Sequence, residues 1–131
     1  MYRKRLWQTN LLDKATAEGS SIAYPIEDYE HMMLTVATEW NAEGSIRFWG
    51  SFADNAPDVT EDFSIDNQFF FISVRNIEDG TNVDWLTWIT LEWTDVVNAY
   101  LVNVPWLKWI GATIQSYTAG TINVSLNGFS S

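Results

Sequence analysis

Hydrophobic and polar residues alternate with a period of two along most of this chain, and helical spacing is hard to find. Residues 32–40 show the pattern most clearly, and residues 46–52 repeat it. One face of the first segment is formed by Met32, Leu34, Val36, Thr38 and Trp40. Residues 41–44 between the two segments predict a hairpin loop, in which Gly44 is available for a positive φ angle.

Other segments also have the patterns of strands. Residues 69–74 are apolar on both faces, which is typical of a central strand deep in the core. An Asp79-Gly80 turn signal precedes alternation at residues 85–93, and together they indicate a second hairpin. The remaining strand candidates are residues 6–12, 21–24, 99–104, 110–117 and 121–126, with a turn at 118–120 that makes the last two a third hairpin. We expect Gly120 in that turn to have a positive φ angle.

Two segments lack a strand pattern. Residues 13–20 are compatible with a short helix or a loop, and residues 53–62 predict a loop that crosses between sheets. The chain is therefore predicted to be all-β, with about 8–10 short strands in an antiparallel, jelly-roll-like β-sandwich. An antiparallel barrel is the competing architecture. With 131 residues and no linker, we expect a single domain over residues 1–131.

The charges are distributed unevenly. The formal net charge is −10, but residues 1–14 carry four basic side chains and only Asp13 as an acid, a net charge of +3. The rest of the chain carries −13 and should repel phosphate, so we expect no nucleic-acid partner. The basic segment is interpreted as an arm that docks on an acidic neighbour, or as a solvated terminus.

Several classes of protein are disfavoured by what the sequence lacks. There are no cysteines, so disulfides and thiolate metal sites are excluded. No secretion signal is recognisable at the N-terminus, and no apolar stretch approaches the roughly 20 residues of a membrane helix. We therefore expect a soluble protein without a membrane partner, made in the cytoplasm.

Candidate catalytic groups are few. His31 is the only histidine, and it stands in no recognisable catalytic motif. The acids Asp58, Glu61, Asp62 and Asp66 are alternatives for a carboxylate pair or a calcium site, but they lack EF-hand spacing. The sequence thus predicts a protein that is not an enzyme and has no metal or cofactor.

The eight tryptophans are the most unusual feature of the composition. Indole is enriched at contact surfaces because it contributes a large area with few torsions to fix. Trp40 and Trp93 align with inward-facing positions, whereas Trp49 and Trp88 lie opposite the inward series of their strands. The predicted interface consists of Arg3, Lys4, Arg5, Trp7, Trp49, Trp88 and Trp106.

Two stretches resemble small structural proteins of tailed-bacteriophage virions. The first is Gly44-Ser-Ile-Arg-Phe-Trp-Gly-Ser51 followed by Ala56-Pro-Asp58, and the second runs from Tyr100 through Trp109 to Val124. The resemblance implies a β-sandwich subunit located in the virion, such as an accessory capsid (decoration) protein or a neck, tail or fibre component. It also implies other virion proteins as partners and a homo-oligomer or multi-copy assembly.

A carbohydrate-binding module is the alternative function. Jelly rolls with exposed tryptophans can stack on sugar rings, usually through a flat row of indoles on one sheet face. In this chain the tryptophans are spread over at least five predicted strands. The sequence therefore favours protein contacts over glycan contacts.

Overall fold

The computed structural model describes residues 5–26, 31–61, 64, 66–84, 88–104 and 107–130. Within these residues the only regular secondary structure is β-strand, and the strand pairs are antiparallel. The strands are β1 (Arg5–Ala15), β2 (Gly19–Ser20), β3 (Tyr24–Pro25), β4 (His31–Ser51), β5 (Phe70–Phe71), β6 (Val74–Asn76), β7 (Asn82–Val83), β8 (Ile89–Thr94), β9 (Val97–Val102) and β10 (Trp109–Ser130). Since no helix occurs in the described residues, none there could cross a membrane.

Two long strands form the frame of the molecule. β4 pairs with β10 almost from end to end, from the Ser51 and Trp109 pair to the His31 and Phe129 pair. The hairpins predicted at residues 41–44 and 118–120 are therefore wrong. The chain continues through both positions as one strand, and each position is a bulge where the strand bends.

The bend depends on residues with left-handed backbone conformations. Trp40 and Asn41 have φ angles of 62° and 53°, and Ser116 and Gly120 have φ angles of 56° and 80°. The register between β4 and β10 shifts at the same level. A Cβ atom on Gly120 would lie 2.5 Å from the Cα atom of Ala42, so only glycine fits there. The predicted positive φ angle of Gly120 is confirmed, although in a bulge and not in a hairpin turn.

The bend divides the strands into two layers. In the first layer, β1, the C-terminal half of β10, the N-terminal half of β4, β9, β6 and β7 lie side by side in that order. In the second layer, β2 and β3 pair with the N-terminal half of β10, while β5 and β8 pair with the C-terminal half of β4. Both layers thus share the two bent strands, and the bend is their common corner.

The core fills the space between the layers. Leu34, Val36 and Val124 from the first layer and Ile46 and Ile110 from the second belong to one buried apolar cluster. Ring contacts also cross the gap, since the centroids of Phe48 in β4 and Tyr100 in β9 are 6.1 Å apart. This burial raises the pKa of the Tyr100 hydroxyl, and the nearby negative charge of Asp79 adds to the effect. The predicted antiparallel, sandwich-like all-β fold is confirmed.

Residues 69–74 differ from the prediction of a central strand. Phe70 and Phe71 in β5 pair with β4 in the second layer, whereas Val74 in β6 pairs with β9 in the first. The segment crosses from one layer to the other, and only Ile72 and Val74 are buried. It is apolar on both faces because it closes the side of the sandwich. The Asp79-Gly80 turn is confirmed, since Gly80 has a φ angle of 75° between β6 and β7.

Candidate interaction surface at the strand corner

The predicted interface residues do not come together in the described structure. Arg3, Lys4 and Trp106 lie outside the described residues. Arg5 and Trp7 belong to β1, where they pair with Ser130 and Gly128 of β10, but their side chains lie outside the description. Only Trp49 and Trp88 can therefore be placed with their side chains.

Trp49 requires a correction. It does lie on the outer face of β4, as the alternation predicted, but its side chain is 0% exposed. The indole covers Gly111 of β10, where a Cβ atom would lie only 2.1 Å from the Cζ2 atom of Trp49. Phe69 adds an edge contact with a centroid separation of 6.4 Å. Trp49 is thus part of a second, outer packing layer and has no open surface for a partner.

Trp88 belongs to the same outer layer and is half-buried. The guanidinium of Arg47 stacks between aromatic rings, 3.6 Å from the centroid of Phe71 and 4.9 Å from that of Trp88. Such cation–π contacts stabilise a cation that has lost part of its hydration. Burial lowers the pKa of Arg47, although a guanidinium remains protonated. The outer face of the second layer is therefore covered by its own aromatic side chains.

Trp40, which the alternation predicts to face inward, is exposed. Its side chain is 75% exposed, so the predicted inward orientation is wrong. The left-handed conformation of Trp40 and Asn41 interrupts the alternation and turns the indole outward at the corner. A bulky residue with a positive φ angle is an unusual and costly conformation. The side chain of Trp93, also predicted to face inward, lies outside the description.

The corner is clamped by the connection between β8 and β9. The backbone amide of Thr38 donates to the Val96 carbonyl, and the Val96 amide donates to the Thr38 hydroxyl, each over 2.9 Å. The backbone amide of Asn41 donates a hydrogen bond to the Asp95 carboxylate over 2.8 Å. These bonds satisfy backbone groups that the bulge removes from the strand ladder. Trp40 is therefore displayed on a braced segment of backbone.

The surroundings of Trp40 are acidic. The corner is built from residues 36–44 of β4, 92–98 around the β8–β9 connection and 115–122 of β10. These segments contain no lysine, arginine or histidine. They contain four acids, Glu39, Glu43, Glu92 and Asp95. We call Glu39, Trp40, Asn41 and Asp95, all exposed, the corner surface.

A second exposed apolar residue lies beside the corner surface. Val97 at the start of β9 is 71% exposed and pairs with Ala37, three positions before Trp40 on β4. The corner therefore combines apolar area with negative charge.

Of the residues considered for catalysis, Asp62 lies outside the description, and the described ones are His31, Asp58, Glu61 and Asp66. His31 is exposed at the start of β4, opposite Phe129, at the end of the strand remote from the corner. Asp58 accepts hydrogen bonds from the Thr60 hydroxyl and amide, which lower its pKa. That carboxylate caps its own loop. In the described part of the chain, no group of three or more acids and histidines is arranged to hold a metal ion.

The prediction of an inward Trp40 is wrong because it extends the alternation of β4 through residue 40, where the backbone becomes left-handed. Asn is one of the few residues that tolerates a left-handed conformation, so the Trp40-Asn41 pair carried a signal of a backbone irregularity. The residue directly before such a position need not follow the alternation of the strand. This signal could have marked Trp40 as an exposed candidate.

Comparisons with known proteins define the fold. No model of a known protein family and no curated protein sequence matches the chain. The crystal structure of the SPBc2 prophage-derived protein YomS aligns over 99% of this chain and 97% of its own, with a TM-score of 0.68 and 13% identity. That of the PBSX exported protein XepA aligns over 99% of this chain with a TM-score of 0.74 and 18% identity, and the match spans 39% of XepA. The chain therefore has a fold that also occurs in two prophage-encoded proteins, as the whole of one and as part of the other.

Proposed function

We propose that this protein is a non-enzymatic structural subunit of a phage particle that binds neighbouring virion proteins. Its proposed position is that of an accessory capsid (decoration) subunit or a fibre- or tail-associated subunit. The phage setting is supported by the fold shared with two prophage-encoded proteins and by the resemblance of the sequence to virion proteins.

The exposure of Trp40 is the observation that supports a binding role. An indole that is 75% exposed, at a corner braced by Thr38 and Asp95, presents a large apolar group on backbone that is already ordered before binding. Tryptophan at the centre of an interface is among the residues that most often dominate binding energy. The exposed indole at the corner offers a contact point for another protein.

The proposal is tested on particles of the phage that encodes the protein. Mass spectrometry of purified mature particles should detect the protein in many copies, and its absence from them would contradict the proposal. Phage carrying Trp40→Asn should assemble particles with much less of the protein. Phe52→Ala, which changes a 51% exposed aromatic residue elsewhere on the surface, serves as the matched control and should leave the copy number unchanged.

Carbohydrate binding is the second candidate, and the corner surface also supports it. An exposed indole beside Glu39 and Asn41 could stack on a sugar ring while the polar groups accept or donate hydrogen bonds to hydroxyls. Against it, Trp49 is buried and the indole of Trp109 donates to the Ala53 carbonyl over 2.9 Å, so no flat row of indoles forms among the described residues. A saturable change in tryptophan fluorescence with a glycan panel, lost in Trp40→Asn, would favour this candidate.

A further inference from the structure

The two outer faces of the sandwich differ in what covers them. The outer face of the second layer is covered by aromatic side chains, with Trp49 fully buried and the guanidinium of Arg47 stacked on a ring. The outer face of the first layer has shorter side chains, and all of those in its middle keep part of their exposure. We call the outward side chains of residues 8–10, 33–37, 97–101 and 123–127 the open face.

The open face carries no charge. Residues 8–10, 33–37, 97–101 and 123–127 contain no lysine, arginine, histidine, aspartate or glutamate. The chain as a whole has a net charge of −10, so two copies repel each other in most orientations. A second copy can therefore approach this face with less electrostatic repulsion than it meets at the acidic parts of the surface.

We propose that two copies of this protein form a dimer by packing their open faces together, about a twofold axis that crosses the strands at Thr35 and Ala99. These two residues are paired across β4 and β9, so they lie in one row of the sheet. The rotation brings each side of that row over the opposite side in the partner copy. Val97 of one copy then packs near Leu101 of the other. This dimer goes beyond the proposed function, because its contact is separate from the exposed indole at the corner.

The side chains of the open face are complementary to themselves under this rotation. Each strand lies over the same strand of the other copy, so the apolar side chains of β4 and β9 meet one another. The small Ala99 at the axis leaves room for the larger Val97 and Leu101 on either side, as two stacked sheets require. Asn123 and Asn127 of β10 also meet, and an amide pairs with a second amide because it both donates and accepts hydrogen bonds.

The charges at the margin of the open face fit the same axis. Arg75 in β6 is exposed and pairs with Leu101, on one side of the axis. The Ile77 amide donates to the Ala99 carbonyl at the axis, so the acidic turn residues 78–79 lie on the other side. The rotation places Arg75 of each copy opposite the acidic turn of its partner. Opposite charges at both ends favour this orientation.

The size of the open face with its margins suits a stable dimer. The sheet runs across five strands from β1 to β6, and residues 31–39 of β4 give its length. At about 4.8 Å between strands and about 3.3 Å per residue, it measures about 24 Å by 30 Å, or roughly 700 Å². A standard protein interface buries about 800 Å² on each partner.

A charge placed on the axis tests the dimer in the full chain. Sedimentation velocity at about 150 mM salt should show a concentration-dependent dimer of the wild type. Ala99→Glu should weaken dimerisation roughly tenfold or more, because the two new carboxylates face each other. Thr90→Glu adds the same charge at an exposed position of β8 in the second layer and should leave dimerisation unchanged. Circular dichroism of both variants checks that they are folded.

Cross-linking tests the position of the axis without adding charge, since the chain contains no cysteine. Ala99→Cys should be cross-linked to its own copy by a short bis-maleimide, whereas Thr90→Cys should not. Val97→Cys and Leu101→Cys should cross-link with each other in a mixture much faster than either does alone. Wild-type protein that stays monomeric at every concentration would leave the face to a different protein and would overturn the dimer. Equal cross-linking of Ala99→Cys and Thr90→Cys would overturn it as well.

Discussion

Trp40 and Trp49 lie nine residues apart on β4, yet the first is exposed and the second is buried. Trp49 is fully buried on the outer face of β4, over a glycine of the neighbouring strand. Trp40 is 75% exposed at the corner, on a backbone conformation that favours glycine and asparagine. The difference does not come from the residue type. It comes from the local structure, because Trp49 packs over Gly111 of the neighbouring strand, whereas the left-handed backbone at Trp40 and Asn41 turns Trp40 toward solvent.

The comparison separates a structural tryptophan from one that the fold does not need. Burial of an indole contributes strongly to folding, whereas an exposed indole contributes little to the stability of the isolated chain. A costly exposed residue is a reason to search for a role outside the fold. The two residues should therefore respond differently to substitution.

Trp49→Ala should have the largest effect, a loss of about 3–5 kcal/mol in the free energy of unfolding, because it leaves a cavity above Gly111. Urea denaturation followed by circular dichroism measures it. Trp49→Phe should cost less, because the ring keeps part of the packing and removes an indole Nε1 that is buried without a hydrogen-bond partner in the described structure. A loss below about 1 kcal/mol for the alanine variant would show that Trp49 is not structural.

Gly120→Ala should cost about 2–4 kcal/mol, since it combines a left-handed backbone conformation with overpacking against Ala42 and Glu39. Gly44→Ala is the matched control on the facing strand, where the new Cβ atom would make an ordinary contact of 3.5 Å with Tyr117. Thermal unfolding of the two variants compares them directly. Equal melting temperatures would mean that the left-handed conformation and close packing of Gly120 are not needed for the stability of the corner.

Gly111→Ala should cost about 2–3 kcal/mol, because the added methyl group displaces the indole of Trp49. The effect should largely disappear when Trp49 is already alanine, so the two losses should not add. A double-mutant cycle by urea denaturation measures this coupling. Additive losses would contradict the direct contact on which the contrast between Trp49 and Trp40 depends.

The sequence predicts the faces of the long strands well but not the path of the chain. Alternation correctly identifies the buried positions Leu34, Ile46 and Ile122, because a strand places alternate side chains on one face. A turn signal such as the one at Gly120 indicates a positive φ angle, yet it does not show whether the chain reverses or bends. That choice depends on pairing with a distant strand, so both bulges of the corner have the sequence signals of hairpins.

The candidate site was harder to predict than the fold. The outward position of Trp49 follows from local alternation, but its burial depends on Gly111, which only the pairing of β4 with β10 brings beneath it. Trp40 has the opposite problem, because a local irregularity overrides the alternation. For Trp49 the missing information is a contact between segments far apart in the sequence, which a periodic pattern does not contain.

Arg47→Met should lower the free energy of unfolding by about 0.5–2 kcal/mol, through loss of the cation–π contacts with Phe71 and Trp88. Arg47→Lys keeps the charge but not the planar group that stacks on the rings, and it should recover only part of the loss. Chemical denaturation measures both variants. Identical stability of Arg47→Lys and the wild type would indicate that charge alone matters in the outer layer.

Trp40→Asn should have the smallest effect, within about 0.5 kcal/mol of the wild type. Two small contributions oppose each other, because asparagine relieves the left-handed conformation while the partly buried fraction of the indole is lost. Urea denaturation followed by circular dichroism measures the change. A loss comparable to that of Trp49→Ala would remove the contrast between the two tryptophans, because Trp40 would then be needed for folding and its exposure would no longer point to a partner.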